Sequence, residues 1–286
     1  MEIKAIDVHA HPATKEYLEG SFGSVLNRTR EHFKHTIPIR SIDEMAEEYR
    51  SQGVFGCLSG WDSETTMGEP ATSNDLIAEI VRRHPDVFVG WAGLDVRKGK
   101  LAIQELERCV KELGFKGVGE IHPICQAIYP SDREFYPLWE KCEELGVHVS
   151  FHGGTTGVGS GLPGGAGYRI KYSHPIHIDD LAADFPNLKI ILCHPSFPWM
   201  NEALAVVTHK ANVYMDLSGW HPRFFNDELL KRINFDLQDK VMFGTDYPWI
   251  TPEKWLSAFE KLAIKDEVRP KILRENAKRI FGLEVD

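Results

Sequence analysis

The sequence lacks the features that mark membrane proteins and disulfide-stabilised secreted domains. No uncharged run approaches the roughly 18 apolar residues that a membrane-spanning helix needs. The first residues also lack the basic and apolar regions of a signal peptide. The five cysteines are odd in number and form no CxxC pair, which is typical of reduced thiols. We therefore expect a cytoplasmic protein that does not enter a membrane.

Positive charge is scarce as well. The chain has 33 Lys and Arg residues against 42 Asp and Glu residues, a formal net charge of -9, and no basic block. Such a chain repels phosphate backbones, so we expect no nucleic-acid partner. A dinucleotide-binding fingerprint is missing too, because the glycine-rich stretch at 153–167 runs into no immediate helix and has no acidic partner at the expected spacing. We interpret that stretch as an active-site loop.

Short apolar and β-branched runs alternate with segments of helical period along the chain. The eight runs are IKAIDVHAH, VFGCLSG, VFVGWAGLDV, FKGVGEI, VHVSFH, LKIILCH, VYMDLS and VMFGTD. Ser41 and Glu44 have the spacing of a capping box at the start of a helix. The alternation predicts an α/β fold, a single (β/α)8 TIM-barrel domain over 1–286, with an open doubly wound sheet as the main alternative. Long loops are expected after strands 1 and 5, at 12–40 and 153–173.

Imidazole and carboxylate side chains stand at the carboxyl ends of the predicted strands. Side chains alternate along a strand, so His9 and His11 should point the same way, which in a barrel can be inward. Other strands end on residues of the same kind, namely Glu120, His152, His194 and Asp246. Burying these polar groups beside an apolar core is costly unless a cation pairs with them. The pattern therefore predicts a divalent metal site at one rim of the barrel.

The side-chain chemistry narrows the choice of metal. Imidazole and carboxylate ligands without a thiolate suit Zn²⁺, which we expect first, and also Mn²⁺, Fe²⁺ or Co²⁺. Glu120 has two interpretations. It is either a ligand, or a hydrogen-bond acceptor or salt-bridge partner behind the ligands.

Residues just beyond the strand ends are candidates for substrate binding. Trp61, Trp220 and Trp249 predict an apolar or aromatic pocket wall. Arg169 in the glycine-rich loop and Arg223 after the seventh strand could bind an anionic group of a small substrate. Ordinary loop packing and solvated surface charge are the alternative interpretations of these residues.

Several motifs together resemble the amidohydrolase superfamily, in particular the branch with aminocarboxymuconate-semialdehyde decarboxylase and related aromatic-acid decarboxylases, lactonases and hydratases. They are DVHAHP, GFKGVGEIHP, VSFHGG, DFPNLKIILCHPSFPW, VMFGTDYPW and ILRENAKRIFGL. The resemblance implies that His9, His11, His152 and Asp246 are metal ligands and that Asp246 and His194 are catalytic. Many relatives have a lysine in place of Glu120, carboxylated and bridging two ions in some members. Glu120 could supply that carboxylate, so one ion or two are both consistent with the sequence.

This site predicts a metal-dependent hydrolase. Metal-activated water would attack an amide, lactone or related bond of a small carboxylate-bearing, aromatic or cyclic substrate. Asp246 would take the proton of the water, and His194 would stabilise the developing oxyanion. The alternative is non-oxidative decarboxylation of an unsaturated or aromatic acid, with Asp246 or His194 protonating carbon. A metal-binding protein without activity is a third candidate, and similar proteins suggest a homodimer.

Overall fold

The predicted strands form a closed parallel barrel. The computed structural model describes residues 2–23, 25 and 36–285, and all eight strands lie in those ranges. They are β1 Ala5–Ala10, β2 Val54–Ser59, β3 Phe88–Trp91, β4 Gly117–Ile121, β5 His148–His152, β6 Ile190–Cys193, β7 Val213–Asp216 and β8 Val241–Met242. One parallel ladder has the order β1-β2-β3, and another runs from β4 to β8 in chain order.

Backbone hydrogen bonds join these two ladders at both seams. Between β3 and β4, Ala92 N donates to Gly117 O at 2.9 Å. Between β1 and β8, Val8 N donates to Phe243 O at 3.0 Å. A doubly wound sheet would leave two edges unpaired at these places, whereas a barrel pairs every strand on both sides. The predicted (β/α)8 barrel is therefore confirmed.

Helices follow the strands, as the helical periods predict. They are α1 Ile42–Gln52, α2 Glu64–Met67, α3 Asn74–Arg83, α4 Lys100–Lys111, α5 Pro123–Gln126, α6 Tyr136–Leu145, α7 Ile176–Asp184, α8 Met200–His209, α9 Asp227–Ile233, α10 Pro252–Phe259 and α11 Asn276–Phe281. The predicted capping box opens α1, where Ser41 N donates to Glu44 Oε2 at 2.7 Å and Glu44 N donates to Ser41 Oγ at 3.2 Å. Over the described residues, no helix combines the length and apolarity that a membrane crossing requires.

Shorter helical turns connect these elements. Tight 3₁₀ turns lie at Val96–Lys98, Arg133–Phe135, Pro163–Gly167, Ile170–Ser173 and Pro222–Phe224, and wider π-helical turns lie at Glu16–Ser21 and Lys271–Glu275. The predicted long loops are present after β1 and β5. Residues 24 and 26–35 of the first loop lie outside the part of the chain that the structure describes.

An apolar cluster fills the barrel below the site. It includes Ile6, Val8, Phe55, Cys57, Trp91, Met242, Ala277 and Ile280. Full burial of a valine, isoleucine, phenylalanine or methionine side chain stabilises a fold by roughly 1.5–3 kcal/mol. At the amino end of β5, His148 packs 4.2 Å from Trp91 and 4.3 Å from Phe281 of α11, measured between ring centroids. The last helix therefore covers the amino ends of the strands, and the opposite mouth holds the polar residues.

Candidate active site

The carboxyl ends of the strands bring the predicted polar residues to one mouth of the barrel. His9 lies in β1, Glu120 in β4 and His152 in β5. His11 and His194 come directly after β1 and β6, and Asp246 lies in the segment after β8. The side chains of His9, His11, Glu120, His152 and His194 are at most 8% exposed, and that of Asp246 is 19% exposed. Residues up to 237 positions apart in the chain thus share one buried, strongly polar site, since His9 and Asp246 both belong to it.

Irregular strand pairing aims two of these side chains. The register between β1 and β2 shifts between Asp7 and Ala10, and a similar shift in the β4–β5 ladder surrounds Glu120. Strict alternation would turn Asp7 and His9 to the same face of β1. Asp7 instead accepts a hydrogen bond from Tyr49 Oη of α1 at 2.7 Å, whereas His9 faces the barrel mouth. Bulges of this kind re-aim side chains beside active sites.

The backbone is strained at two of the predicted residues. His194 has φ of 66° and Asp246 has φ of 62°, a left-handed conformation that is uncommon for residues other than glycine. Neighbouring groups hold both in place. His194 N donates to Asp216 Oδ1 at 3.1 Å, and Asp246 N donates to His9 O at 2.9 Å. Strain of this kind, worth about 1–3 kcal/mol per residue, concentrates at functional sites.

Hydrogen bonds fix the orientation of the first two histidines. His9 Nδ1 lies 3.1 Å from Asp216 Oδ2, and His11 Nδ1 lies 3.2 Å from Ser59 O. Both partners are acceptors, so Nδ1 carries a hydrogen and Nε2 is the ring nitrogen that points to the mouth. There, Asp246 Oδ1 lies 3.7 Å from His9 Nε2 and 3.9 Å from His11 Nε2. Two imidazole nitrogens and a carboxylate oxygen face one another, as ligands around one ion do.

Glu120 connects the other two histidines. Its Oε1 lies 2.8 Å from His152 Nδ1 and 3.1 Å from His194 Nε2. His152 Nε2 lies 3.0 Å from Thr155 O, so both ring nitrogens of His152 are engaged. His152 therefore groups with Glu120 and His194 rather than with the three atoms above, although this second group also has metal-ligand spacing. Glu120 Oε2 also lies 3.9 Å from His9 Nε2, so its role as a ligand or as an acceptor stays a prediction.

Buried carboxylates control the charge of the site. Burial alone would lower the pKa of His9, but the charges of Asp216, Glu120 and Asp246 outweigh burial and raise that pKa to about 10. Burial, assisted by the charge of His9, lowers the pKa of His11 to about 3. Burial raises the pKa of Asp246, although the neighbouring histidines oppose this. The site thus favours a positive charge near His9 Nε2.

His9 Nε2 also tests whether a metal ion fits. This atom is buried and has no hydrogen-bond partner among the residues that the structure describes. A buried polar atom without a partner costs about 1–3 kcal/mol, and coordination to a cation would satisfy it. Imidazole nitrogens and carboxylate oxygens are the donors that such an ion needs. The residues present therefore fit a divalent metal ion.

A cavity of about 530 Å³ opens above these side chains. This volume suits a small molecule. Glu120, His194 and Asp246 line its floor, and the aromatic residues on its walls include Tyr17, Phe22, Trp61, Phe197, Trp220, Phe224 and Trp249. The loop after β5 contributes residues 155–158 and 160. Within the described ranges, neither lysine nor arginine lines the cavity.

The predicted substrate-binding residues separate into two groups. Trp61, Trp220 and Trp249 line the cavity, as a pocket wall requires. Arg169 and Arg223 are exposed and do not line it. Arg223 instead places its guanidinium 4.5 Å from the ring centroid of Phe224. Both charged side chains are solvated outside the cavity, so the structure does not place either of them where it could anchor a substrate.

Sequence reasoning missed Asp216, which ends β7. It is buried, and its carboxylate accepts hydrogen bonds from His194 N and from Ser218 N at 2.9 Å, besides facing His9. Burial would raise the pKa of Asp216, but the charge of His9 outweighs burial and holds it below its ordinary value. The sequence did contain a signal for Asp216. This acidic residue stands near the end of the apolar run VYMDLS, the same kind of position that Glu120 has in FKGVGEI.

Comparisons with known proteins agree with this geometry. A family model described as amidohydrolase matches residues 6–283. A γ-resorcylate decarboxylase from Polaromonas sp. strain JS666 is 28% identical over an alignment 333 positions long, which covers 97% of this chain and 98% of the relative. A 2-amino-3-carboxymuconate-6-semialdehyde decarboxylase from Dictyostelium discoideum is 27% identical over 242 residues, covering 74% of this chain and 66% of the relative.

A solved structure extends the match to the whole fold. It is a dihydroxybenzoic acid decarboxylase from Polaromonas sp. JS666 with bound manganese and the inhibitor 2-nitroresorcinol. Its TM-score is 0.72 at 25% identity, and the match covers 98% of this chain and 97% of that chain.

These comparisons contradict the predicted hydrolase activity. The relatives named above are decarboxylases, so the hydrolase prediction is wrong and its stated alternative is better supported. The expectation of zinc is not supported specifically either, because the similar solved structure holds manganese. The error has a chemical reason. The same imidazole and carboxylate groups can activate a water molecule or hold an acid for loss of carbon dioxide, and strand-end residues do not distinguish the two reactions.

Proposed function

Because this chain belongs to the amidohydrolase family, we propose that it is a metal-dependent, non-oxidative decarboxylase of a small aromatic or unsaturated acid. The observation that carries the proposal is the similarity to γ-resorcylate decarboxylase over nearly the full length of both chains. The cavity supports it, since aromatic walls suit a planar acid and the floor holds acidic groups that can deliver a proton.

We propose His9 Nε2, His11 Nε2 and Asp246 Oδ1 as the atoms that hold the metal ion. Manganese is the proposed ion, on the basis of the similar solved structure and the imidazole and carboxylate donor set. When bound, such an ion supplies positive charge that can hold the carboxylate of the substrate and a neighbouring oxygen. Glu120 and His152 adjoin this set in the cavity lining, and Glu120 Oε1 orients His194.

Asp246 is the proposed proton donor. With Oδ1 proposed as a ligand, the second oxygen of this carboxyl group would carry the proton that the substrate receives. Its side chain, at 19%, is more exposed than those of His9, His11, Glu120, His152 and His194, and it lines the cavity. Asp246 would donate its proton to the carbon that bears the carboxylate. The bond between that carbon and the carboxylate then breaks, its electron pair returns to the ring, and carbon dioxide leaves.

His194 has a different proposed role. Its Nε2 faces Glu120 Oε1, and its Nδ1 lies 2.9 Å from Ser218 Oγ, so both nitrogens are engaged within the protein. Burial would lower the pKa of His194, but the hydrogen bond with Glu120 outweighs burial and raises it. A positively charged imidazole at the floor of the cavity would stabilise negative charge on the bound acid.

The reaction can be tested directly. Manganese-loaded protein would be incubated in deuterium oxide with 2,6-dihydroxybenzoate and a panel of other hydroxybenzoates and unsaturated acids. We expect one carbon dioxide for each acid consumed and one deuterium at the carbon that lost the carboxyl group, because the transferred proton exchanges with solvent. Absence of carbon dioxide from every acid, or a product that has gained oxygen from water, would argue against decarboxylation.

Replacing Asp216 by asparagine is expected to weaken manganese binding roughly 10- to 100-fold. The change removes the carboxylate that lies 3.1 Å from His9 Nδ1 and fixes the direction of Nε2. Competition against a metallochromic chelator would measure the affinity. The matched control is Asp179→Asn, which removes a carboxylate 3.9 Å from His209 on the outer surface and should change nothing. Equal affinities in wild type and the Asp216 variant would refute the orienting role.

A further inference from the structure

The loop after β5 places a hydroxyl group in the cavity wall that the proposed mechanism does not use. Thr156 lines the cavity, and its Oγ1 lies 3.1 Å from His122 Nε2 and accepts a hydrogen bond from Val158 N at 3.1 Å. His122 Nδ1 in turn accepts a hydrogen bond from Cys125 N at 3.3 Å. A backbone N–H can only donate, so Nδ1 is unprotonated and Nε2 carries the hydrogen of the ring.

These contacts leave the Thr156 hydroxyl one role. A hydroxyl group accepts two hydrogen bonds and donates one. Oγ1 already accepts from His122 Nε2 and from Val158 N. Its own hydrogen meets no acceptor in the ranges that the structure describes. Thr156 is partly exposed in the cavity wall, so its hydroxyl hydrogen is available to an acceptor on a molecule in the cavity.

The donor is also held rigidly. Ser160 Oγ donates to Thr156 O at 2.6 Å, which fixes the backbone of the loop. The ring of His122 stacks on that of His152, with 3.9 Å between centroids and 20° between planes. A donor that is already in position loses little conformational entropy when a ligand binds. This preorganisation is what a recognition contact requires.

The position of Thr156 indicates which part of a substrate it meets. His122 follows β4 and Thr156 follows β5. Asp246 follows β8, which lies on the other side of the eight-stranded barrel. An acid whose carboxylate lies at Asp246 would extend across the mouth toward Thr156. Of the described residues that line the cavity, none is a lysine or arginine that could meet a second oxygen there.

We propose that the Thr156 hydroxyl selects substrates with an acceptor oxygen, a carboxylate or a carbonyl, on the part of the molecule remote from the carboxyl group that leaves. The orientation of the substrate in this inference rests on the proposed decarboxylase function. The enzyme then prefers aromatic acids with a second acidic or carbonyl group over the matching simple acids.

Two related acids test this preference by binding alone. 4-Hydroxyisophthalate carries a second carboxylate that 2-hydroxybenzoate lacks, and calorimetry would measure the affinity of each for manganese-loaded protein. Thr156→Val should weaken binding of the diacid by about tenfold to a hundredfold, the value of a hydrogen bond to a charged acceptor. The same variant should leave the simple acid within about twofold of wild type, because that acid makes no such contact. Thr156→Ser keeps the hydroxyl and should retain the preference.

Equal losses for both acids would mean that Thr156 only holds the loop, and would overturn the inference. Lack of a preference for the diacid in wild type would overturn it too. A thermal unfolding measurement checks that Thr156→Val is folded. If it is not, Thr156→Ala is used in its place. Carbon dioxide assays on the same samples separate the two proposals. If Thr156→Val weakens binding of the diacid alone but no carbon dioxide is released, only the decarboxylase function is contradicted. If carbon dioxide is released but the variant loses equal affinity for both acids, only the role of Thr156 is contradicted.

Discussion

The Asp246→Asn variant is expected to release carbon dioxide from an acid substrate about a thousandfold more slowly than the wild-type enzyme. Asparagine has nearly the same shape and keeps an oxygen that can face His9 and His11. It has no carboxyl proton to deliver to carbon, so the step that the proposed mechanism assigns to this side chain loses its acid. Initial rates of carbon dioxide release at saturating acid would measure the effect.

Metal analysis separates the two proposed roles of Asp246. Its Oδ1 also faces His9 Nε2 and His11 Nε2, so the variant could lose manganese as well as a proton donor. Slow turnover at full manganese content supports proton donation, whereas rescue by excess manganese supports a ligand role alone. The matched control is Asp62→Asn. Asp62 also follows a strand and is 13% exposed, but it pairs with Lys98 Nζ at 2.8 Å and does not line the cavity. Wild-type turnover in the Asp246 variant would refute both roles.

Removing the metal with a chelator is expected to reduce decarboxylation by at least about a thousandfold, and added Mn²⁺ should restore it. The reason is electrostatic. The ion is the proposed anchor of the substrate carboxylate, and no lysine or arginine among the described lining residues can replace it. Without the ion, the acid would lose the positive charge that holds its carboxylate and a neighbouring oxygen in the proposed reaction. Rates before chelation, after it and after addition of each divalent ion would make the comparison.

Thermal unfolding provides a second measurement that needs no substrate. An ion that binds only the folded protein stabilises it by about 2.7 kcal/mol at a concentration 100 times its dissociation constant. The melting temperature should therefore rise with added Mn²⁺, and the Asp216→Asn variant should need more ion for the same rise. Full turnover in completely demetallated protein would exclude a metal-dependent reaction.

The barrel was predictable because the patterns that specify its elements are local. The helical period from Ser41 ends at Gln52, and α1 occupies Ile42–Gln52. The apolar run around His148 likewise became β5. Strand ends were predictable for the same reason, and parallel strands in a barrel bring their carboxyl ends to one mouth. The meeting of His9, Glu120 and Asp246 follows from that rule.

The contacts within the site were less predictable. Alternation along β1 does not explain why Asp7 turns to Tyr49 while His9 turns to the mouth, because the register shift depends on pairing with β2. A cationic residue in a loop could equally face the substrate or the solvent. Arg169 is exposed, whereas Thr156 of the same loop, which sequence reasoning passed over, lines the cavity.

Periodicity and strand ends in the chain were thus enough to specify the barrel and the residues gathered at its mouth, and separate sequence motifs carried the family resemblance. The hydrogen-bond partners of these residues were determined only by the tertiary structure. His9 and Asp216 stand 207 positions apart, yet they lie 3.1 Å apart in space, and that contact sets which nitrogen of His9 faces the cavity. Such a choice depends on side-chain direction, burial and local register. These arise only when distant strands pack together, and no pattern among neighbouring residues encodes them.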